Sequence, residues 1–478
     1  MNLYVLNNPF WFELENLTRL FFPNEKITVF KEPTEISAPY IVAESGESIN
    51  VKVNIGGFSR ESSAPLRDTD HDNELCFVQL LYKFLSEYSG ISQAWGLLTG
   101  VRPLKLYRKL CGELGESEAD RFFLEEYFVS EEKLALLKRT ESNEKRIIDL
   151  SRPESFSLYV GIPFCPSRCS YCSFVMSSIE RAKKLIGPYT DLLCEELKAT
   201  AQIASDLGLR LESVYFGGGT PTTLSAEQLS KVLGTVNSSF DMTTCREFTV
   251  EAGRPDTITG DKLFALKENK VDRISINPQT LSDSVLEKIG RRHTARQFLD
   301  AFALARKCGF SNINTDLIAG LPSDTLESFC YSLDTVRELG AECVTVHTLC
   351  MKRASHLTTE GKTLNREEAE TARQMLSYAG KSLTDDGYLP YYLYRQTRMV
   401  GNLENVGWAK SGFESLYNVY VMDETHTILA CGSGGVTKLK NQSTDFLKRI
   451  FNYKYPYEYI DRFEEMINRK SEIRRFYG

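Results

Sequence analysis

The sequence predicts an α/β fold built on six parallel strands, with an N-terminal α+β domain and a C-terminal extension. Between residues 156 and 350, short β-branched or aromatic runs alternate with longer segments of helical spacing. The runs read FSLYVGI, ESVYFGGG, REFTVEA, DRISINP, NINTDLI and CVTVHTL. Strand–helix units in series give parallel strands joined by right-handed crossovers. Six such units suit either an open doubly wound sheet or a partial (β/α)6 barrel.

The segments between these runs support the same prediction. Apolar residues recur three and four positions apart, for example over 229–236 and 298–305. Residues with this spacing share one face of a helix, which can then cover the sheet. A further helix is expected after the sixth strand, at about 365–386.

The ends of the chain have other patterns. In the N-terminal part, the runs LYVLN, KITVFK, YIVAE and NVKVNI predict strands, and NELCFVQLLYKFLSEY predicts an amphipathic helix. The C-terminal part is rich in aromatic residues and glycine and closes with a basic helical tail. We therefore predict three domains, at 1–150, 151–386 and 387–478.

A polar or metal-binding group accompanies each predicted strand of the central region. In chain order these groups are the cysteine loop 165–172, the GGGTP segment 217–221, Glu251, Gln279, Asp316 and His347. Since the carboxyl ends of parallel strands lie at one edge of the sheet, where α/β proteins bind their ligands, the groups predict one catalytic face.

Three cysteines, Cys165, Cys169 and Cys172, lie within the first of these loops, in CPSRCSYC. A structural zinc site needs four protein ligands, and no histidine lies between Cys165 and His293. Catalytic zinc has an open position but usually takes His or carboxylate ligands. A 4Fe–4S cluster fits better, because its ligands are thiolates. Three cysteines would leave one iron free to bind another molecule.

Composition excludes several classes of protein. The net charge of −7 provides no global attraction to nucleic acid or anionic lipid. The first residues lack a basic segment and include Glu13 and Glu15, so we expect no signal peptide. No run of about 18 uncharged apolar residues occurs, so we expect no membrane span. We expect a cytoplasmic monomer whose 12 cysteines are thiols or metal ligands.

The GGGTP segment is not a nucleotide-binding motif. It lacks the lysine and hydroxyl ending of a P-loop and the ribose-binding acid of a dinucleotide fingerprint. Its glycines allow close approach of the backbone to a ligand, and Thr220 offers a hydroxyl. Alone, such a segment is more often a glycine-rich turn.

Together these motifs resemble the radical S-adenosylmethionine (SAM) superfamily, in which CxxxCxxC follows the first strand of a partial (β/α)6 barrel. The resemblance implies that the free iron is chelated by the amino and carboxylate groups of SAM. It also implies that the reduced cluster cleaves SAM to methionine and a 5′-deoxyadenosyl radical. A glycine-rich segment after the next strand is similar to the family's methionine-binding segment.

A narrower resemblance covers residues 156 to about 352. The motifs YVGIPFCPSRCSYC, YFGGGTPT, VEAGRPD, RISINPQT, IGRRHT, NTDLIAGLP and HTLCMKRAS resemble, in order and spacing, those of the oxygen-independent coproporphyrinogen III oxidases. The N-terminal WGLLTGVRPLK is most similar to the Z-type branch, the coproporphyrinogen dehydrogenases of anaerobic bacteria. This implies oxidative decarboxylation of coproporphyrinogen III to protoporphyrinogen IX in porphyrin and heme biosynthesis. It also implies a reduced electron donor such as flavodoxin or ferredoxin.

The resemblance implies roles for individual residues. The three cysteines would hold the cluster and, with Tyr159, form the catalytic set. The expected cofactor contacts are Tyr159, Tyr171, Gly218, Gly219, Thr220, Glu251, Gln279, Arg291, Asp316 and Cys350. Among these, Glu251 suits an ammonium, Arg291 a carboxylate and Asp316 the ribose hydroxyls.

The sequence departs from two branches of the superfamily. Coproporphyrinogen oxidases proper carry a fourth cysteine where this chain has Phe174. The heme-chaperone branch also lacks that cysteine, but it carries a histidine motif near its C-terminal end where this chain has Gly401. Three functions therefore stay open: coproporphyrinogen oxidation, heme trafficking, and radical chemistry on intact heme.

The substrate site is expected in the C-terminal region, over the catalytic face. Coproporphyrinogen is a broad apolar macrocycle edged with carboxylates, so its site needs aromatic rings and cations. Arginine can bind a carboxylate through two parallel hydrogen bonds. The candidate substrate residues are Lys352, Arg353, Tyr392 and Arg395. An aromatic core strand with solvated ends is the alternative interpretation of 387–398.

Overall fold

A computed structural model describes residues 1–100, 102–351, 365–444 and 446–477 of the chain. Its contacts group the chain into two compact units. The first comprises residues 1–138, the described part of 361–373, and 394–404, and the second comprises the rest. No helix of the described residues combines the length and the hydropathy needed to cross a membrane.

The first unit contains a five-stranded sheet in the order β2-β1-β3-β4-β5. Its strands are β1 (Asn2–Leu6), β2 (Thr28–Phe30), β3 (Tyr40–Ser45), β4 (Ser48–Ile55) and β5 (Phe58–Pro65). The first three are parallel, and β3, β4 and β5 are antiparallel. In β4 every second side chain is buried, as expected for a strand with one solvated face. The sequence pattern does not predict β5, because its residues FSRESSAP are mostly polar and largely exposed.

Helices complete the first unit. They are α1 (Trp11–Phe21), α2 (Asp70–Ser89), α3 (Pro103–Leu114) and α4 (Glu116–Arg121), with a π-helical turn at Phe122–Glu126. The predicted amphipathic helix is α2. It begins where the Thr69 side chain accepts a hydrogen bond from the Asp72 amide, and it ends at Gly90, which is left-handed with φ 67°.

The six predicted parallel strands are present in the second unit. They are β6 (Ser155–Ile162), β9 (Arg210–Gly218), β10 (Glu247–Glu251), β11 (Arg273–Ser275), β12 (Ile313–Ala319) and β13 (Cys343–Thr348). Each pairs in parallel with the next in chain order. Between β6 and β9, the short strands β7 (Phe164–Cys165) and β8 (Ser177–Ser178) form a separate parallel pair.

The segments of helical spacing form the expected helices. The first of them, α5 (Glu131–Ile148), starts in the first unit and continues into the second. The helices that follow are α6 (Ile179–Asp206), α7 (Ala226–Ser239), α8 (Gly260–Glu268), α9 (Asp283–Lys288), α10 (Ala295–Lys307), α11 (Leu326–Glu338) and α12 (Arg366–Asp385). Capping boxes start α7, at Ser225 and Gln228, and α10, at Thr294 and Gln297. The buried residues of α7 are the apolar residues that its spacing predicted.

C-terminal strands extend the central sheet at both edges. They are β14 (Leu389–Tyr394), β15 (Asn405–Ala409), β16 (Thr427–Cys431), β17 (Val436–Lys440) and β18 (Leu447–Phe451). The full order is β14-β15-β13-β12-β11-β10-β9-β6-β16-β17-β18. Strand β15 is antiparallel to β13, and β16 is parallel to β6. The remaining helices are α13 (Leu416–Asp423), α14 (Pro456–Asp461), α15 (Phe463–Arg469) and α16 (Ser471–Tyr477).

Candidate functional site

The cysteine loop begins directly after β6. Its ends are held together, because Phe164 and Cys165 pair with Ser177 and Ser178, and the Ser177 amide donates to the Pro163 carbonyl at 2.8 Å. Within the loop, the Cys172 amide donates to the Cys169 carbonyl at 3.1 Å. The loop is thus closed at its base and turned back on itself around the three cysteines.

The three thiols lie close enough to affect one another electrostatically. The pKa of Cys165 is raised to about 12, mainly by burial and also by its neighbours Cys169 and Cys172, whereas a hydrogen bond with Thr220 opposes the shift. Burial also raises the pKa of Cys172. Buried thiols that must ionise together need a cationic partner, and metal ligation supplies one.

The arrangement fits a cluster better than a single ion. Among the described residues, no three His, Cys, Asp or Glu side chains converge on one metal position. In a 4Fe–4S cluster each thiolate binds a different iron, so the thiols surround a group instead of meeting at one point. The loop, with Cys169 buried and Cys165 and Cys172 half-buried beside it, fits such a group.

The glycine segment packs against the start of the cysteine loop. The Gly219 amide donates to the Ile162 carbonyl and the Thr220 amide to the Phe164 carbonyl, both at 2.7 Å. Gly218 has φ +103°, and a Cβ on Gly219 would lie 2.5 Å from the Phe164 carbonyl oxygen. Glycine is required here by the close approach of two backbones.

Thr220 connects the two motifs through its side chain. Its hydroxyl lies 3.3 Å from the Cys165 sulfur, and the residue is buried. The predicted contact of Gly218, Gly219 and Thr220 with the methionine part of SAM stays a prediction.

Arg291 lies beside the cysteine loop, although it is distant in sequence. Its Nε donates to the Tyr171 hydroxyl at 3.2 Å, and its Nη1 donates to the Asn277 carbonyl at 2.7 Å. Burial lowers the pKa of Arg291, but Tyr171 and Cys169 outweigh that effect and raise it overall. The fold therefore holds a permanent cation next to two loop residues.

Two carboxylates are carried by β10 and β12: Glu251 ends β10, and Asp316 lies midway along β12. The Tyr215 hydroxyl donates to Glu251 Oε1 at 2.5 Å, and Asp316 Oδ2 lies 3.8 Å from His347 Nε2. Burial raises the pKa of Glu251 to about 7, and the charge of Asp316 adds to the shift, while Tyr215 and His347 oppose it. Burial alone would raise the pKa of Asp316, but His347 and Asn314 outweigh burial and lower it. One carboxylate therefore titrates near neutrality, and the other is ionised.

Three tyrosines stack beside Glu251. The rings of Tyr215 and Tyr417 lie 4.4 Å apart at 18°, and Tyr159 lies 6.5 Å from Tyr215 at 14°. Tyr159 and Tyr215 come from the adjacent strands β6 and β9, whereas Tyr417 comes from α13.

Gln279 has an unusual backbone and an unpaired side chain. Its φ is +69°, which is uncommon for a residue other than glycine. Its amide donates to the Asp316 carbonyl at 2.9 Å, which fixes the turn after β11. Its buried Oε1 has no hydrogen-bond partner among the described residues. An orphaned acceptor at this edge of the sheet suits a ligand that donates a hydrogen bond.

Other candidate residues have different surroundings. Cys350 is half-buried just after β13. Tyr392 is buried, with its hydroxyl 3.4 Å from Thr345 Oγ1. Arg395 is a buried residue of the first unit, and its Nη1 donates to the Leu98 carbonyl at 2.6 Å. Lys352 and Arg353 lie outside the described residues.

A cavity of about 1100 Å³ adjoins the cysteine loop. Residues from 166–181 line one side and residues from 283–294 line the other, Arg291 among them. The second segment is bound to the loop, since the Ser170 amide donates to the Ile289 carbonyl at 2.9 Å.

Sequence reasoning missed several residues of this site. Arg254 donates to the Cys169 sulfur at 3.9 Å and belongs to the VEAGRPD motif three residues after Glu251. Tyr215 stands two residues before the glycine segment, so strand periodicity could have placed it on the same face as Gly217. Tyr417 has no such signal, because it comes from a helix some 200 residues away in the chain.

Comparison with known proteins agrees with this geometry. Residues 159–336 match the radical SAM superfamily. The oxygen-independent coproporphyrinogen-III oxidase-like protein HemZ of Bacillus subtilis is 35% identical over 472 residues, covering 96% of this chain and 94% of that protein. The heme chaperone HemW of the same organism is 34% identical over 287 residues, covering 58% of this chain and 70% of that protein.

A solved structure shares the fold. Coproporphyrinogen III oxidase (HemN) from Escherichia coli, described as a radical SAM enzyme, has a TM-score of 0.53 and 22% identity, covering 67% of this chain and 72% of that one. The predicted fold class, a partial (β/α)6 radical SAM barrel, and the predicted cofactors, a 4Fe–4S cluster and SAM, are confirmed. The chain belongs to the radical SAM superfamily and, within it, to the family of oxygen-independent coproporphyrinogen III oxidase-like proteins that includes HemZ.

Proposed function

We propose that this protein is an oxygen-independent coproporphyrinogen III dehydrogenase that forms protoporphyrinogen IX. The observation that carries the proposal is the loop of three neighbouring thiols after β6, in a sheet whose strands β10 and β12 carry Glu251 and Asp316 and whose β11 is followed by Gln279. The full-length similarity to a coproporphyrinogen-III oxidase-like protein supports the substrate class.

In this proposal Cys165, Cys169 and Cys172 hold the cluster, with SAM on the remaining iron. When bound, the cluster and SAM would provide the radical chemistry that abstracts a hydrogen atom from an unactivated carbon. The protein's part is to bind, to orient and to exclude water. At each of two propionates of the substrate, one hydrogen atom would pass to the adenosyl group of SAM, CO₂ would leave, and one electron would pass to an external one-electron acceptor, so that a vinyl group forms.

The charges at the sheet edge match the polar groups of SAM. Glu251 offers an anion for the cationic amino-acid end, and Arg291 offers a buried cation for the carboxylate. Asp316 is held ionised by His347 and Asn314, so it can accept hydrogen bonds from ribose hydroxyls. The tyrosine stack would orient Glu251 through the hydrogen bond that Tyr215 donates to it.

The substrate residues are a separate part of the proposal. Lys352 and Arg353, which follow the sixth strand in sequence, would bind propionates. Tyr392 would contribute an aromatic wall. Replacement of Arg353 by alanine should raise the KM for coproporphyrinogen III, while SAM cleavage without substrate stays near the wild-type rate.

Heme trafficking is the second candidate, because the heme chaperone HemW is also a relative. One observation counts against heme ligation at the position where that branch carries a histidine. Gly401 has φ +62°, and a Cβ there would lie 3.3 Å from the Leu403 side chain. A histidine would be strained at this left-handed position.

The decisive experiment is anaerobic incubation of the reconstituted protein with SAM, a reductant and either coproporphyrinogen III or heme. We expect two decarboxylations, seen as product mass, with matching 5′-deoxyadenosine only in the coproporphyrinogen reaction. Heme binding without turnover would favour trafficking. A modified heme with 5′-deoxyadenosine would favour radical chemistry on intact heme.

A further inference from the structure

Arg254 lies between the end of β10 and the cysteine loop, and the proposed chemistry leaves it without a role. The residue is 3% exposed. Its Nη1 donates to the Cys169 sulfur at 3.9 Å and to the Ser167 hydroxyl at 3.2 Å. A buried guanidinium thus meets one ligating sulfur and a second residue of the same loop.

The position of Arg254 is fixed by its surroundings. Its Nε and Nη2 donate to the two carboxylate oxygens of Asp256 at 3.1 Å and 3.2 Å. Its carbonyl accepts from the Thr257 hydroxyl at 2.7 Å, and that hydroxyl lies 2.6 Å from the hydroxyl of Thr222. These contacts anchor the turn to the glycine segment, so the guanidinium has little freedom to move away from the sulfur.

We propose that Arg254 raises the reduction potential of the cluster by holding a buried positive charge against the Cys169 sulfur. The proposal rests on the assignment of the cluster to the three cysteines. One-electron reduction adds negative charge to a cluster and its thiolates. A nearby cation stabilises the reduced form more than the oxidised form, and burial weakens the screening of this effect by water. Hydrogen bonds to ligating sulfurs act in the same direction.

Substitutions of Arg254 and of its partner Asp256 should shift the midpoint potential of the cluster in opposite directions. The Asp256 side chain is 17% exposed and neutralises part of the Arg254 charge. Arg254→Gln should therefore shift the midpoint potential of the cluster to lower values. Asp256→Asn keeps a hydrogen-bond acceptor for Arg254 but removes the counter-charge, so it should shift the potential to higher values. A residue that only anchors the loop would not give shifts of opposite sign.

The experiment is a mediated redox titration of the reconstituted protein without SAM, followed by electron paramagnetic resonance. Iron content is measured in each sample, so that loss of the cluster is separated from a change of its potential. Arg254→Gln alone leaves the Asp256 carboxylate unpaired, and this charge could itself lower the potential. Comparing the double variant Arg254→Gln/Asp256→Asn with Asp256→Asn isolates the effect of Arg254, because neither protein has that carboxylate. Arg254→Lys keeps the charge and should return most of the wild-type potential.

Arg292→Gln is the matched control. That arginine lies on the neighbouring segment, is 62% exposed and pairs with Glu180 at 2.9 Å, so its loss should leave the potential unchanged. Equal potentials in wild type and Arg254→Gln at full iron content would overturn the proposal. If the Arg254→Gln protein does not hold the cluster, the proposal is tested with Asp256→Asn instead. A higher midpoint potential in that variant supports the proposal, and an unchanged or lower potential overturns it. Failure to bind iron in the wild type would instead refute the cluster site itself.

Discussion

At the scale of single residues, the candidate site depends on three thiols that the other cysteines are not placed to replace. Cys194, for example, is buried in α6, with its sulfur 4.0 Å from the Lys231 carbonyl. Cys169→Ala should therefore abolish the visible absorbance of the reconstituted cluster and all 5′-deoxyadenosine formation, whereas Cys194→Ala should retain both. A Cys169→Ala protein with a full complement of iron and SAM cleavage would contradict the assignment.

Glu251 predicts a pH dependence of SAM binding. Burial raises its pKa to about 7, so the carboxyl is ionised above that pH and neutral below it. SAM carries positive charge, so its affinity should fall as the pH drops below 7, by up to about tenfold per pH unit. Calorimetry on the cluster-loaded protein between pH 6 and pH 8 measures this.

Glu251→Gln is the control for that dependence, because it keeps an acceptor for Tyr215 but does not titrate. The variant should retain its iron and bind SAM roughly ten- to a hundredfold more weakly at pH 8, since a charge-assisted contact contributes about 1.5–3 kcal/mol. The step near pH 7 should be absent. If wild type and variant have the same affinity at every pH, Glu251 does not face the ligand.

At the scale of elements, the glycine segment is positioned by close packing of two backbones. A Cβ on Gly219 would lie 2.5–2.9 Å from backbone atoms of Ile162 and Phe164, which cannot move without displacing the cysteine loop. Gly219→Ala should lower the free energy of unfolding by about 1–3 kcal/mol and reduce cluster occupancy. Chemical denaturation and iron analysis test this.

Gly234 provides the comparison, because it lies inside α7 and a Cβ there would meet only the Asn269 side chain, at 3.7 Å. Gly234→Ala should leave cluster occupancy unchanged and increase stability by about 0.5–1 kcal/mol. A Gly219→Ala protein as stable and as well loaded as wild type would show that the two backbones can separate at little cost.

At the scale of the second unit, a buried acid in α6 holds the C-terminal extension. Glu196 is fully buried and accepts hydrogen bonds from the Gly432 amide at 2.7 Å and the Tyr459 hydroxyl at 2.6 Å. It also pairs with Lys470 at 2.9 Å. Residues from three separate C-terminal segments thus converge on one side chain of the helix that follows the cysteine loop.

Loss of one partner should therefore be costly. Lys470→Met would leave the Glu196 carboxylate buried without its counter-charge and should lower the free energy of unfolding by about 3–5 kcal/mol. Lys448→Met removes a similar pair with Glu472, but that pair is more than a third exposed, so the cost should be about 1 kcal/mol or less. Equal effects of the two substitutions in urea denaturation would show that the Glu196 network does not hold the extension.

Much of the secondary structure could be predicted, because it depends on local patterns. The six parallel strands and the helices between them follow from the alternation of strand runs and helical spacing, and the capping boxes mark two of the helix starts. The polar strand β5 could not be predicted, since its residues give no apolar alternation and only pairing with β4 makes it a strand.

The sequence by itself determined which chemical groups this protein carries: the three thiols, the glycine segment and the polar groups on or just after each parallel strand are all local motifs. The tertiary structure decided which groups surround them. Arg254 at the Cys169 sulfur, Tyr417 in the tyrosine stack and Arg395 at the Leu98 carbonyl all result from contacts between distant segments. Local patterns follow from the periodicity of strands and helices, whereas such contacts depend on how elements pack, which no single stretch of sequence encodes.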